Sequence, residues 1–132
     1  MKLSPPAGSE IRRALVIDDD VLACTTIASI LESAGFEVLQ ANNGRRGLSV
    51  FDEHPVQLVV TDILMPDKEG IETIVELRQR SRDVKIIAVS GGGRVGPNRF
   101  LNVAQKLGAD EVLSKPFSKA SLLEKVRKCL TA

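Results

Sequence analysis

The chain has 132 residues, 43% of them hydrophobic and 27% charged, which is ordinary composition for one globular domain with one hydrophobic core. The formal net charge is +1 and tryptophan and tyrosine are absent, so neither a basic nucleic-acid surface nor a base-stacking platform is indicated. No apolar run approaches the roughly 18 residues that a membrane span needs, and the first ten residues lack the apolar core of a signal peptide. We therefore predict a flexible tail over residues 1–10, one domain over 11–132, and a cytoplasmic protein that binds neither nucleic acid nor membrane.

Strand-like apolar runs alternate with segments of helical spacing along the chain. Five runs predict strands, at 14–18, 36–41, 57–62, 84–90 and 111–114. Apolar residues at helical spacing predict a helix after each strand, at 21–34, around Leu48 and Phe51, around Ile71 to Leu77, at 98–107 and after Ser118. Strict alternation predicts an α/β fold, a doubly wound five-stranded parallel sheet with helices on both faces. By analogy with flavodoxin-like sheets, the expected strand order is 2-1-3-4-5.

Thiol and zinc chemistry have few candidate residues. Cys24 and Cys129 are far apart in helix-like segments, and we expect free thiols in a reducing compartment. The chain has one histidine, His54, and no cluster of cysteine and histidine that would suit zinc. Any metal would therefore be a hard cation held by carboxylates.

Charged or hydroxyl side chains stand at the carboxyl ends of four of the five predicted strands. Ligands of such sheets bind at the carboxyl ends of the strands, so we expect these side chains to share one pocket. In chain order they are Asp18, Asp19 and Asp20 at the end of the first strand, Asp62 at the end of the third, Ser90 at the end of the fourth and Lys115 at the end of the fifth.

Converging carboxylates repel one another, and a divalent cation relieves that repulsion. Carboxylates, carbonyls and water suit Mg²⁺, which tends to bind together with phosphate. A lysine and a hydroxyl nearby would neutralise and position phosphoryl oxygens. A remaining carboxylate could attack phosphorus and form an aspartyl phosphate. Because the third strand places it at the centre of the cluster, Asp62 is the predicted nucleophile.

Four motifs resemble the response-regulator receiver domain, of the chemotaxis-receiver type. They are LVIDDD at 15–20, VVTDILMPDKEG at 59–70, VSGG at 89–92 and SKPF at 114–117, and the similarity covers about residues 11–131. Four motifs in order at the expected strand ends are a specific signal, whereas any one alone is weak. The resemblance implies a single-domain phosphoacceptor of a two-component or phosphorelay system rather than an enzyme.

The resemblance also implies a role for each residue at the phosphoryl site. Asp62 would be the phosphoacceptor, Ser90 the switch hydroxyl and Lys115 the lysine that holds the phosphoryl group. Pro116 resembles the family's cis-proline. The chain departs from the family at Val112, where an aromatic residue is common, so the usual aromatic rotation cannot relay the switch in that form.

The metal ligands implied by the resemblance are carboxylates and one backbone carbonyl. Asp19 resembles a direct Mg²⁺ ligand, Asp18 would act through a metal-bound water, and Asp62 and the Leu64 carbonyl would complete the protein's set. Counting back from the glycine that ends the first helix favours Asp18 and Asp19 as the family pair. Asp20 would then be a helix-start residue.

Partners follow from the same resemblance. The phosphoryl donor would be a histidine kinase or a histidine phosphotransfer protein that docks around Val21, Leu22 and Phe117. An unknown downstream protein would bind the face of the fourth helix, fifth strand and fifth helix. No output segment follows residue 132, so we expect a free-standing regulator; the receiver portion of a larger hybrid kinase is the alternative.

A less favoured alternative belongs to another class of protein. Magnesium-dependent phosphatases of the haloacid dehalogenase group resemble the chain at Asp18-x-Asp20, where the first aspartate would be the nucleophile. The chain is short for that group and contains no cap insertion.

Overall fold

A computed structural model describes residues 12–63, 69–91 and 97–131, without the side chains of residues 69 and 97–101. Strands and helices alternate along these residues. The strands are β1 (Arg13–Ile17), β2 (Glu37–Ala41), β3 (Leu58–Asp62), β4 (Lys85–Ser90) and β5 (Glu111–Ser114). The helices are α1 (Val21–Ser33), α2 (Gly44–Glu53), α3 (Glu69–Arg80), α4 (Pro97–Leu107) and α5 (Lys119–Thr131).

The strands form one parallel sheet in the order β2-β1-β3-β4-β5. This confirms the predicted fold class and strand order. β1 and β3 lie side by side at the centre, with Ile17 paired to Thr61, and Asp62 pairs with Val89 of β4. The carboxyl ends of β1, β3, β4 and β5 therefore lie along one edge of the sheet.

The hydrophobic core has two halves, one on each face of the sheet. Successive residues of β1 alternate between them: Leu15 and Ile17 join one half, and Ala14 and Val16 join the other. α2, α3 and α4 cover the first half, and α1 and α5 cover the second. Helices on both faces explain why β1, β3 and β4 are almost continuously apolar.

The predicted element ends were wrong by one residue at several places. β1 begins and ends one residue earlier than predicted, although the Asp18 amide still donates to the Ala41 carbonyl at 3.1 Å. α1 ends at Ser33, and Gly35 follows with a φ of 100°, a conformation that favours glycine. The predicted cap of the last helix is present, since the Ser118 hydroxyl accepts from the Ser121 amide at 3.0 Å.

The predicted flexible tail over residues 1–10 lies outside the described residues. Within the described part of the chain, no helix has the length and apolar character needed to cross a membrane. Cys24 and Cys129 are buried free thiols, as predicted.

Candidate functional site

The predicted site residues lie together at the carboxyl edge of the sheet. Asp18 follows β1, Asp62 ends β3 and Ser90 ends β4, and each is less than a tenth exposed. Lys115 follows β5, and its backbone amide donates to the Ser90 carbonyl at 2.8 Å. Burial of two carboxylates and a hydroxyl at one edge is unusual unless they are paired or bind a ligand.

Lys115 bridges the two buried carboxylates. Its Nζ lies 3.1 Å from Asp18 Oδ2 and 3.2 Å from Asp62 Oδ2. These residues are 97 and 53 positions from Lys115 in the chain, so only the fold brings the three together. The ammonium group places a positive charge between two negative charges at a partly buried site. Ion pairing is stronger there than at the surface, because water screens the charges less.

Three carboxylates are placed to hold a metal ion. One oxygen each from Asp18, Asp19 and Asp62 lies within 4.8 Å of the others. A set made only of carboxylate oxygens suits a hard cation such as Mg²⁺ and not zinc. Asp19 is exposed, so solvent reaches this group of ligands, and Mg²⁺ usually keeps several waters. The residues present therefore fit the predicted ion, while the predicted carbonyl ligand of Leu64 lies outside the described residues.

Asp20 has a different role from its two neighbours. Its Oδ1 accepts hydrogen bonds from the amides of Leu22 at 3.0 Å and Ala23 at 3.3 Å, which makes it the N-cap of α1. Its own amide donates to Asp18 Oδ1 at 2.9 Å and so orients that carboxylate. The geometry agrees with the assignment of Asp18 and Asp19 to the acidic pocket and of Asp20 to the helix start.

Burial raises the pKa of Asp18, and the negative charge of Asp62 adds to the rise. The Asp20 amide and Lys115 oppose it. Burial would lower the pKa of Lys115, but its hydrogen bonds to Asp18 and Asp62 and their negative charges outweigh burial and raise it. Lys115 therefore stays protonated at neutral pH.

Ser90, which the resemblance would make the switch residue, lies at the end of β4. Ser90 is fully buried and its Oγ donates to the Gly91 carbonyl at 3.3 Å. Val112, where the resemblance would place an aromatic residue, is half-buried against one half of the core and pairs with Ala88. The peptide bond between Lys115 and Pro116 is cis, as the resemblance implied.

An apolar groove adjoins the acidic site on the α1 side. Its volume is about 520 Å³, and its lining includes Leu22, Ile30 and Phe117 beside Lys115. Leu22 is 75% exposed and its neighbour Val21 is 69% exposed, which is unusual for aliphatic side chains. Sequence reasoning had predicted both residues and Phe117 but missed Thr26 and Ile30. Thr26 and Ile30 follow Leu22 by four and eight residues along α1, and this helical spacing was the signal that could have found them.

Comparison with known proteins agrees with this geometry. The model of the response regulator receiver domain matches residues 14–127, so the chain belongs to that family. It is 34% identical over 120 residues to the transcriptional regulatory protein CpxR of Klebsiella pneumoniae, a match that covers 91% of this chain and 50% of that protein. It is also 34% identical over 119 residues to the chemotaxis protein CheY of Bacillus subtilis, covering 89% of this chain and 97% of that one.

A solved structure of the same family is closely similar in fold. The CheY-like receiver domain protein of Methanospirillum hungatei superposes with a TM-score of 0.83 at 30% identity, covering 92% of this chain and 95% of that chain. The first curated relatives are longer, and this chain spans about half of their length. The family membership makes the chain a receiver domain of two-component signalling.

Proposed function

We propose that Asp62 accepts a phosphoryl group from a phosphohistidine of a histidine kinase or histidine phosphotransfer protein, and that this modification switches the binding of a partner. The observation that carries the proposal is the Lys115 ammonium group within 3.2 Å of both Asp18 and Asp62. Two buried carboxylates joined to a lysine, beside a third carboxylate, form a site for a cation and a phosphoryl group.

The proposed metal ligands are Asp18, Asp19 and Asp62, together with the carbonyl of Leu64. Mg²⁺, when bound, would supply positive charge that neutralises the carboxylates and the incoming phosphoryl oxygens. Support comes from the three carboxylate oxygens that lie within 4.8 Å of one another.

In the proposed transfer, a carboxylate oxygen of Asp62 attacks the phosphorus atom as the bond from phosphorus to the donor histidine nitrogen breaks. The electron pair of that bond stays on the nitrogen, and an imidazole protonated on its other nitrogen leaves as a neutral ring. Lys115 loses one carboxylate partner and gains a phosphoryl oxygen, which keeps its charge paired. Since Asp62 itself carries the product, we classify the chain as a phosphoacceptor and not as an enzyme with turnover.

Ser90 is the proposed switch residue. Its hydroxyl has a hydrogen bond of 3.3 Å to Gly91, which is long for an O–H donor. A phosphoryl oxygen on Asp62 would offer a stronger, charged acceptor and would favour conformations in which Ser90 turns toward it. The phosphoryl group would then shift a conformational equilibrium that the partner detects.

The first test is intact-protein mass spectrometry after incubation with acetyl phosphate and Mg²⁺. We expect a single phosphoryl adduct on the wild-type chain, dependent on Mg²⁺ and absent from Asp62→Asn. Asp52→Asn is the matched control, because Asp52 is an exposed carboxylate on α2 that pairs with Arg80. An adduct that persists in Asp62→Asn, or is lost in Asp52→Asn, would contradict the assignment.

The α1 groove is the proposed docking site for the histidine-containing donor, since exposed Leu22 lines it together with Lys115 and exposed Val21 is the neighbour of Leu22. Leu22→Ser removes apolar surface. It keeps the backbone amide of residue 22, which donates a hydrogen bond to the Asp20 carboxylate, so the helix cap is retained. We expect phosphorylation by acetyl phosphate to stay within about twofold of wild type and transfer from a phosphohistidine protein to fall about tenfold, the effect of an interface anchor. Equal rates from the protein donor would remove this groove from the docking site.

The phosphatase alternative is not favoured by the geometry of Asp20, whose carboxylate caps α1. The phosphatase alternative predicts turnover of a small phosphate ester that Asp18→Asn abolishes and Asp62→Asn does not.

The native protein is either a free-standing regulator or a receiver within a larger hybrid kinase. The mass of the native protein in cell extracts distinguishes the two. We place the protein in the cytoplasm, which its two buried free thiols support.

A further inference from the structure

Gly70 lies in the first turn of α3, against the backbone of the residues that carry the phosphoacceptor. A β carbon at this position would overlap the α carbon of Ile63. It would also lie 2.6 Å from the Asp62 carbonyl oxygen and 2.8 Å from the Ile63 carbonyl carbon. Non-bonded atoms of this size prefer separations of about 3.5 Å or more, so these contacts are repulsive. Any other residue type at position 70 therefore requires the backbone to move.

The obstacle at Gly70 differs in kind from that at other glycines of the described chain. A β carbon at Gly47 would meet only side-chain carbons of Ile17, and one at Gly108 would meet the Arg78 side chain. At Gly91 the nearest obstacle is a side-chain carbon of Lys115 at 3.7 Å, an ordinary contact. Side chains can change rotamer, whereas the peptide groups at Asp62 and Ile63 cannot.

Both sides of this contact are held by the rest of the fold. The Asp62 end of β3 pairs with Val89 of β4, and the Ile63 amide donates to the Val89 carbonyl at 2.9 Å. α3 is held by Ile74 and Leu77, which are fully buried in the core. A side chain at position 70 would therefore displace the local backbone at the end of β3 and the first turn of α3.

We infer that Gly70 is a positioning residue of the phosphoacceptor site, and that its missing side chain keeps the Asp62 carboxylate in register with Asp18 and Asp19. Mg²⁺ requires oxygen ligands at about 2.0–2.1 Å in near-octahedral geometry, so a ligand shifted by a few tenths of an ångström binds it less well. The role in phosphoryl transfer rests on the proposed function, whereas the effect on cation affinity does not depend on it.

The test compares Gly70→Ala with wild type and with Gly108→Ala. Gly108 has a φ of 134°, so alanine there is strained and destabilising, but it lies before β5, at the edge of the sheet opposite the carboxylates. Each folded protein is titrated with Mg²⁺ alone and followed by NMR of the labelled backbone, and its phosphorylation by acetyl phosphate is timed separately. If Gly70→Ala does not fold, all three proteins are measured in a stabilising osmolyte.

We expect Gly70→Ala to bind Mg²⁺ about tenfold more weakly than wild type. We expect its phosphorylation to be slower by about tenfold or more, because a small displacement of a reacting group has a large effect on rate. Gly108→Ala should lose stability while its affinity stays within about twofold of wild type. The inference is overturned if folded Gly70→Ala matches wild type in Mg²⁺ affinity, or if Gly108→Ala shows the same loss. A wild-type chain that binds Mg²⁺ but takes no phosphoryl group would refute the proposed function. The inference about Gly70 would then be decided by the Mg²⁺ affinities alone.

Discussion

At the residue scale, three consecutive aspartates have three different environments. Asp18 is buried and pairs with Lys115, Asp19 is exposed beside it, and Asp20 caps α1. The Asp20 amide also donates to Asp18 Oδ1, so the start of the helix and the orientation of the buried carboxylate are coupled. One short turn thus supplies both a helix cap and two candidate metal ligands.

These environments predict different effects for the two exposed aspartates. Asp20→Ala removes a helix cap and should lower the free energy of unfolding by about 1 kcal/mol, with Mg²⁺ affinity within about twofold of wild type. Asp19→Asn removes a charged ligand and should weaken Mg²⁺ binding about tenfold or more without lowering stability. Urea unfolding and Mg²⁺ titration of both variants check this. A larger loss of affinity in Asp20→Ala than in Asp19→Asn would reverse the assignment.

At the element scale, Arg78 joins the end of α3 to two other parts of the fold. Its guanidinium donates to the Val84 carbonyl at 2.7 Å, to the Gly108 carbonyl at 2.7 Å and to Asp110 Oδ2 at 2.9 Å. The same Asp110 oxygen accepts from the Ile86 amide at 2.8 Å. The end of α3, the start of β4 and the turn between α4 and β5 are therefore held by one partly buried cation.

Replacement of Arg78 should accordingly be costly. We expect Arg78→Met, which keeps an aliphatic stem, to lower the free energy of unfolding by about 2–4 kcal/mol, because several acceptors lose a charged donor. Arg80→Met is the control on the same helix, and it should cost about 0.5 kcal/mol or less, since the pair between Arg80 and Asp52 is largely exposed. Urea unfolding measures both. Similar losses in the two variants would show that the Arg78 bonds are no stronger than surface pairs.

At the scale of the whole molecule, the half of the core beneath α1 and α5 contains two buried thiols. Burial raises the pKa of Cys129 from its ordinary value of 9.0 to about 12, and nearby Asp110 and Glu111 add to the rise. Burial also raises the pKa of Cys24. Both thiols remain protonated at neutral pH in the folded protein, which makes them poor nucleophiles.

This predicts a loss of stability in alkaline solution. Above about pH 9 the unfolded chain releases the Cys129 proton while the folded chain keeps it, so stability falls as pH rises from 9 toward 12. The contribution of this thiol is complete below pH 9 and changes by at most about 1.4 kcal/mol per pH unit above it. The stability difference between wild type and Cys129→Ala should therefore shrink between pH 9 and pH 10 in urea unfolding. A difference that stays constant from pH 7 to pH 10 would contradict the prediction.

The sequence by itself determined the fold class, the order of elements and the identity of most candidate site residues. Apolar spacing and turn residues are local signals, so the five alternating pairs of strand and helix could be predicted to within one or two residues. The polar residues after four strands could be assigned to one edge, because parallel strands place their carboxyl ends on the same side.

Only the tertiary structure decided which of these groups touch and what limits their positions. The contacts of Lys115 with Asp18 and Asp62 join residues far apart in the chain. The groove along α1 is lined both by residues of the helix and by Phe117, which lies far later in the chain. The close approach of Gly70 to the Asp62 carbonyl could not be predicted from the sequence around Gly70, which shows only that the residue is a glycine. Distances between elements depend on packing of the whole core, and periodicity within one segment carries no information about them.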